Sequence, residues 1–394
     1  MSLWWGFAAF AALAFLEKSW KLWRVLRFFA RPVPVQTQAV GLVSILQPIL
    51  SGDPTLEAGL AANLRARSSY RREFVWLVDD DDLVGQQICQ RLAGQFPGQQ
   101  VRVILTPPPA ERQNPKVVKL IEGARLAEGD VICVLDDDTR LPDDGLERCL
   151  PFLDGPQTGL VFGLPYYVSF HTLWSQMVAC FVNSHSLMTY VPYLQFSPPL
   201  TINGMFYCIR RQTLDAVGGF AGMEDTLADD FAIAQRMRQH GLGLVQTPLV
   251  HAISTTVSGA RHYLGLIQRW FIFPRESLMR HLKPGEQALI YGLALLPMFF
   301  AWGFGLFALV WPSFWTQGGL AAYVVYHYAC FAWFNRAYFG GATPWLASVW
   351  VLVLQFILPL QILIALFSPQ RINWRGHSMQ VEHGGGFRFI RRRN

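Results

Sequence analysis

Three acidic groups carry the residue types and spacing that could do chemistry. Asp79, Asp80, Asp81 and Asp82 follow Phe-Val-Trp-Leu-Val, and Asp136, Asp137 and Asp138 follow Val-Ile-Cys-Val-Leu. Asp is common in turns, and a lone run would be solvated. Two runs at equivalent strand ends would repel each other unless a cation sat among them, and carboxylate oxygens suit Mg²⁺ or Mn²⁺. Metal binding is expected at the Asp136–Asp138 run, an Asp-x-Asp turn. The Asp79–Asp82 run is expected to touch a nucleotide base or ribose rather than metal. The third group, Glu224, Asp225, Asp229 and Asp230, opens the helical run Phe231–His240. It reads either as charge favourable to a helix N-terminus or as a general base that takes a hydroxyl proton. Further on, Arg261–Arg280 interleaves Gln268, Arg269, Trp270, Phe271, Phe273 and Arg275. That pattern suits an interfacial helix, and equally a cation and an indole gripping a diphosphate and a sugar face.

The elements that must position these residues alternate. Strands are predicted over Gly41–Gln47, Phe74–Val78, Val101–Leu105 and Val131–Leu135, and helices over Leu56–Arg67, Leu83–Phe96 and Asn114–Ala127. Such alternation predicts an α/β fold with a mostly parallel, doubly wound sheet. Ligands of that fold bind beyond the carboxyl ends of its strands, where both aspartate runs begin.

Hydrophobic residues make up 52% of the 394-residue chain and charged residues 15%, well under the roughly 25% charge of soluble domains. This excludes disorder and an ordinary soluble globule. Six scattered cysteines without a CxxC pair exclude a disulfide scaffold. The net charge of +6 sits beside apolar segments and at the tail, which favours a membrane surface over nucleic acid. Spanning helices are expected at Ala288–Trp311, Leu320–Phe334 and Trp345–Phe367. Near the N-terminus, Leu3–Leu16 is apolar and basic residues follow it, the pattern of an uncleaved anchor with its N-terminus outside. Three C-terminal crossings would put the tail, with Arg371, Arg375, Arg388, Arg391, Arg392 and Arg393, on the side that positive charge avoids. Either one segment is re-entrant or the tail breaks the rule. The organisation expected is an anchor and basic interfacial segment (1–31), a cytoplasmic catalytic domain (32–260), an interfacial helix (261–285), membrane helices (286–370) and a basic tail (371–394). Within the catalytic domain, residues 171–200 contain no Asp, Glu, Lys or Arg. They read as a buried helix pair or as a half-embedded surface admitting a lipid.

Taken in order, the motifs resemble those of the ceramide glucosyltransferase family, over nearly the whole chain. They are Val43-Ser-Ile-Leu-Gln-Pro with Asp53-Pro54, Asp79–Asp82, Asn114-Pro-Lys116, Asp136-Asp-Asp-Thr-Arg140, Gly163-Leu-Pro-Tyr166, Asn203-Gly-Met205, Ala228-Asp-Asp230 and Gln268-Arg-Trp270. The resemblance implies a Rossmann-like nucleotide-sugar-binding domain of the GT-A type. It also implies a UDP-sugar donor (UDP-glucose), a lipid acceptor (ceramide), a divalent Mg or Mn ion, and inversion at the sugar carbon. By position, Asp80 would contact the nucleotide, Asn114 and Lys116 would place the donor, and Asp136 and Asp138 would hold metal and diphosphate. Asp230 would be the catalytic base, and Gln268, Arg269 and Trp270 would complete the site near the leaving group. One departure stands out: the motif's first polar position falls on Leu266, so either Gln268 substitutes for it or one diphosphate contact is absent. Bacterial enzymes that glycosylate hopanoids or diacylglycerol share most of these motifs. A membrane-anchored scaffold without catalysis is the rival from another class, and retention of all three acidic groups argues against it.

Overall fold

The structure, a computed structural model, describes residues 2–367, 370–374, 376–382 and 384–391. The α/β core follows the expected order with small shifts at element ends: β1 Val43–Ile49, α2 Leu56–Arg65, β2 Arg72–Asp79, α3 Leu83–Gln95, β3 Gln100–Thr106, α4 Pro115–Leu126 and β4 Val131–Leu135. The chain opens with α1, Ser2–Phe29. All seven residues of β1 and all five of β4 are buried, as central strands covered on both faces must be. Helix starts are legible in the caps. The Asp82 side chain accepts from the Gly85 amide at the head of α3. Asn114 caps α4, where Pro115 occupies the first helical position, whose missing N–H costs nothing.

The sheet continues with β5 Thr139–Arg140, β6 Thr158–Tyr167, β7 Phe206–Arg210 and β8 Gly243–Ile253. Its order is β3-β2-β1-β4-β7-β6-β8-β5. The half built from β1–β4 is parallel, whereas β7 runs antiparallel to both β4 and β6. With β6 and β8 also parallel, the expectation of a mostly parallel sheet holds for four of its seven pairings. Antiparallel pairing puts the start of β7 beside the end of β4, with Phe206 opposite Leu135. The Asn203-Gly-Met205 segment is thereby delivered to the Asp136–Asp138 rim.

Residues 171–200 form one helix rather than two, α5 Leu173–Tyr193. Met177 and Phe181 are buried in it, so the stretch is an internal layer and not an open apolar face. Short helix α6, Arg211–Ala216, follows β7, then α7, Asp229–Gln239, and α8, Ala260–Phe273. Beyond these lie α9, Pro284–Val310, α10, Phe314–Ala337, and α11, Trp345–Phe367. Among the described residues α9 and α11 are long and apolar enough to cross a membrane. Helix α10 is 24 residues long but carries Gln317, His327, Asn335 and Arg336, so two of the three expected C-terminal spans meet the criterion.

Helices α1, α9 and α10 run away from the sheet domain together. At their far end Trp4 lies 6.2 Å from Trp311 and 5.8 Å from Trp315, centroid to centroid. At the near end Phe29 stacks on Tyr338 at 3.9 Å. Helix α11 behaves differently, because both of its ends touch the sheet domain. Just before it, Thr343 Oγ1 accepts from Asn183 Nδ2 at 3.0 Å, and at its end Leu366 O accepts from Arg275 Nη1 at 2.7 Å. The tail then folds into a three-stranded sheet of β9 Arg371–Trp374, β10 His377–Val381 and β11 Phe387–Arg391. Its Ile372, Met379, Val381 and Phe387 cover Leu227 and Ile272. The tail is therefore a folded part of the sheet domain, on the same side as the acidic groups. Arg375, Arg392 and Arg393 of the basic tail lie outside the described residues.

Candidate active site

The two aspartate runs divide their labour residue by residue. In the first, Asp79 is buried and pairs with Lys119 at 2.8 Å, and Lys119 also donates to Ile49 O. Burial raises the Asp79 pKa, against the pull of Lys119. Asp82 turns inward as well, capping α3 and accepting from the Ser51 amide at 2.7 Å. That leaves Asp80 and Asp81 exposed at the rim, and Asp80 is the residue expected to meet a nucleotide. In the second run Asp137 turns inward to accept from the Leu50 amide at 2.9 Å. Asp138 accepts from Thr255 Oγ1 at 2.7 Å, which ties it to the loop after β8.

Asp136 meets the third acidic group through one lysine. Lys116 Nζ lies 2.7 Å from Asp136 Oδ1, 3.0 Å from Asp229 Oδ2 and 2.9 Å from Gly204 O. The Asp136 amide in turn donates to Met205 O at 2.9 Å. Three distant segments, the end of β4 and the heads of α4 and α7, thus close on one point. Asn114 holds this closure from within. Its side chain is fully buried, its Oδ1 caps α4, and its Nδ2 donates to Thr226 O and Leu227 O. Asn114, expected to help place the donor, ties the segment just before Asp229 and Asp230 to the head of α4 that carries Lys116.

Asp230 differs from Asp229 in having no ion-pair partner among the described residues; its Oδ1 accepts from the Phe231 amide at 2.7 Å. Gly204 faces it so closely that an added Cβ would lie 2.8 Å from Asp230 Cβ. Loss of solvation pushes Asp136 up to about 6, against Lys116. It pushes Asp230 up to about 7, with Asp229 adding to the rise and Lys116 opposing it. Lys116 loses solvation too, but Asp136 and Asp229 outweigh that and hold its pKa well above the ordinary value.

Aromatic residues lie near the carboxylates, and of these Tyr167 was not singled out from the sequence. The Tyr167 hydroxyl is raised by burial and by Asp138, with Arg269 acting in the opposite direction. Tyr190 of α5 is pushed up to about 12 by desolvation and the charge of Asp230, although part of its ring is exposed. Arg269 and the carboxylates therefore shift the Tyr167 hydroxyl in opposite directions. Trp270 lies 6.0 Å from both Tyr167 and Phe181, and Gln268 precedes them half-buried on α8. Leu266, at the departed motif position, packs in the core with Tyr263 and Ile267, so no polar contact originates there. The only hint in the sequence was the Tyr-Tyr ending of Gly163-Leu-Pro-Tyr-Tyr167.

Among the described residues no group of three or more His, Cys, Asp or Glu side chains is arranged to hold a metal. The donor set nonetheless fits a hard cation. Asp136 and Asp229 share the ammonium of Lys116, and loss of solvation already disfavours the charged forms of Asp136 and Asp230. Mg²⁺-type ions are commonly held by one or two carboxylates together with substrate phosphates, which is the number Asp136 and Asp138 supply.

A family model for glycosyl transferase family 21 matches residues 6–387. The chain belongs to glycosyl transferase family 21. Over 196 residues it is 27% identical to a beta-monoglucosyldiacylglycerol synthase from Synechocystis sp., a match covering 48% of this chain and 38% of that protein. The chain thus spans well under half the length of the curated relative it matches. Among solved structures it is similar to the mannosyltransferase PcManGT from Pyrobaculum calidifontis in complex with GDP-Man and Mn²⁺, with a TM-score of 0.51 and 19% identity over 91% of this chain and 97% of that one. That likeness establishes the fold of this family 21 member as GT-A-like.

Proposed function

We propose that this family 21 chain is a membrane-bound hexosyltransferase that moves a sugar from a nucleoside diphosphate sugar to the primary hydroxyl of a lipid. Glucose from UDP-glucose and ceramide as acceptor are the specific reading, giving β-glucosylceramide. The observation that carries it is the convergence of Asp136 and Asp229 on Lys116, with Asp230, unpaired among the described residues, next to Asp229, beside a helix, α5, that packs between the sheet domain and the apolar bundle. Diacylglycerol is the second reading, supported by the relative named for glucosylating it.

In this mechanism Asp80 meets the nucleotide at the exposed rim. Asp136 and Asp138 would hold Mg²⁺ or Mn²⁺, which when bound offsets charge developing on the diphosphate. Lys116, Arg269, Gln268 and Trp270 orient the phosphates and the sugar, and Asn114 keeps the acidic loop in register. Asp230 takes the acceptor's hydroxyl proton as that oxygen bonds to the anomeric carbon and the bond from that carbon to the diphosphate breaks. Attack from the face opposite the leaving group inverts the centre. A carboxylate with a pKa near the working pH is suited to this role, and Asp230 is the member of its pair left free by Lys116.

The membrane reading follows from the helices. Helices α1, α9 and α10 cross, with the tryptophan cluster of Trp4, Trp311 and Trp315 at the far interface. Helix α11 lies along the near face, which leaves the basic tail with the catalytic domain on the cytoplasmic side and the N-terminus outside. The test incubates purified protein with labelled nucleotide sugars and a lipid panel, with and without Mn²⁺, and identifies products by mass spectrometry. A glycosylated lipid is expected; sugar hydrolysis without any lipid product refutes the proposal.

A further inference from the structure

A second polar cluster lies outside the carboxylate cleft, in the helical bundle. Glu17, Lys18 and Lys21 of α1 meet Ser184, His185 and Thr189 of α5, His327 of α10 and Gln355 of α11 around one cavity. Ionisable groups inside such a bundle are costly and mark function more often than packing. Glu17 and Lys21 pair with each other.

The hydrogen-bonding roles of two residues here are fixed by their partners. Lys18 Nζ sits 2.8 Å from His327 Nδ1. An ammonium only donates, so Nδ1 accepts and the imidazole proton is on Nε2. That N–H is buried and has no partner. Gln355 Nε2 donates to Val351 O and Val324 O, which sets its amide orientation. Its Oε1 is buried and also without a partner. The cavity thus presents one unsatisfied donor and one unsatisfied acceptor, each destabilising while unmade.

Position ties this cavity to the acceptor. Counting 1.5 Å per helical residue, His327 is about 18 Å from Trp315 and Lys18 about 21 Å from Trp4. In a hydrocarbon core about 30 Å thick, that is within the half nearest the sheet domain. One residue beyond Thr189 on α5 is Tyr190, which feels the charge of Asp230.

We infer that this cavity holds the amide linkage of an N-acylated amino-alcohol lipid, its carbonyl accepting from His327 Nε2 and its N–H donating to Gln355 Oε1. The inference rests on the proposed lipid glycosylation and narrows its acceptor. A diacylglycerol brings ester carbonyls but no N–H, and its one hydroxyl is the reacting group, so it leaves Gln355 unsatisfied.

The experiment compares ceramide, N-methylated ceramide and diacylglycerol with the full-length protein and with Gln355→Leu. In the unaltered protein, N-methylation should lower kcat/KM about tenfold, mainly through KM, the worth of one buried hydrogen bond. In Gln355→Leu that penalty should vanish, and the preference for ceramide over diacylglycerol should shrink by the same factor. An N-methyl penalty that is absent in the unaltered protein, or of equal size in both, overturns the inference. The first of these results needs no variant. Glycosylation of diacylglycerol alone overturns it while leaving the proposed glycosyl transfer standing. No lipid product at all removes that proposal and this inference with it.

Discussion

Replacing Asp230 by Asn isolates the proposed base from everything else in the cleft. Asn is isosteric, and its Oδ1 can still accept from the Phe231 amide that Asp230 uses. The substitution breaks no ion pair, because Lys116 contacts Asp136 and Asp229. What is lost is one carboxylate able to take a proton. General bases contribute about 10²–10⁴-fold, so kcat should fall by that factor, about 3–5 kcal/mol in the barrier. Donor affinity measured by calorimetry with Mn²⁺ should stay within about threefold, since the substitution leaves Asp136, Asp138 and Lys116 in place. The melting temperature should hold or rise, because a carboxylate that repels Asp229 and Asp136 has gone. Asp229→Asn is the contrast: it removes one of the two carboxylates on Lys116 and should weaken donor binding and stability together. Turnover of Asp230→Asn within tenfold of the unaltered protein refutes the base assignment. A loss of donor binding matching the loss of turnover refutes the separation of roles.

The carboxylates also set a pH dependence. Folded-state pKa values of about 6 for Asp136 and about 7 for Asp230 lie above the ordinary 3.8, so the folded protein binds more protons than the unfolded one between about pH 4 and 7. Their contribution is complete below that window and is lost as pH rises through it; the melting temperature in EDTA should fall over this range, Mn²⁺ should flatten the decline, and a rise in EDTA would contradict the assignment. Lys119→Met strands Asp79 and should cost about 3–5 kcal/mol in denaturant unfolding, whereas Asp80→Ala should weaken donor binding and leave the melting temperature unchanged. If Asp80→Ala destabilises as strongly, the division within that run is wrong. Gly204→Ala places a Cβ 2.8 Å from Asp230 Cβ; kcat should drop at least tenfold, with a stability cost of about 1–3 kcal/mol, and normal kcat would mean that the close approach is not needed.

Much of the site was legible because the signals are local. Apolar strands running into aspartates, Asn-Pro at a helix start and paired acids at another helix start depend on neighbours in sequence. Within each run, however, the chain does not say which carboxylate turns inward. Asp79 and Asp82 are claimed by Lys119 and Ser51, and Asp137 by the Leu50 amide. Those partners arrive only when β1, β2 and α4 pack. Asn114 illustrates the same limit: its role as a cap is readable from Pro115, but its grip on Thr226 and Leu227 depends on a contact across more than a hundred residues.

By itself the sequence determined the alternating α/β core, the three acidic groups, the apolar C-terminal segments and the sugar-transferase motifs, since hydrophobic period, capping and strand-end chemistry act over a few residues. Only the tertiary structure decided that β7 runs antiparallel, so that Gly204 and Met205 meet Asp136, and that one lysine joins Asp136 to Asp229. It also decided that α11 returns to the sheet domain, which packs the described part of the tail against Leu227 and Ile272. Those outcomes depend on pairing and burial between segments far apart in the chain, where a buried carboxylate or backbone group takes whichever partner packing brings within reach.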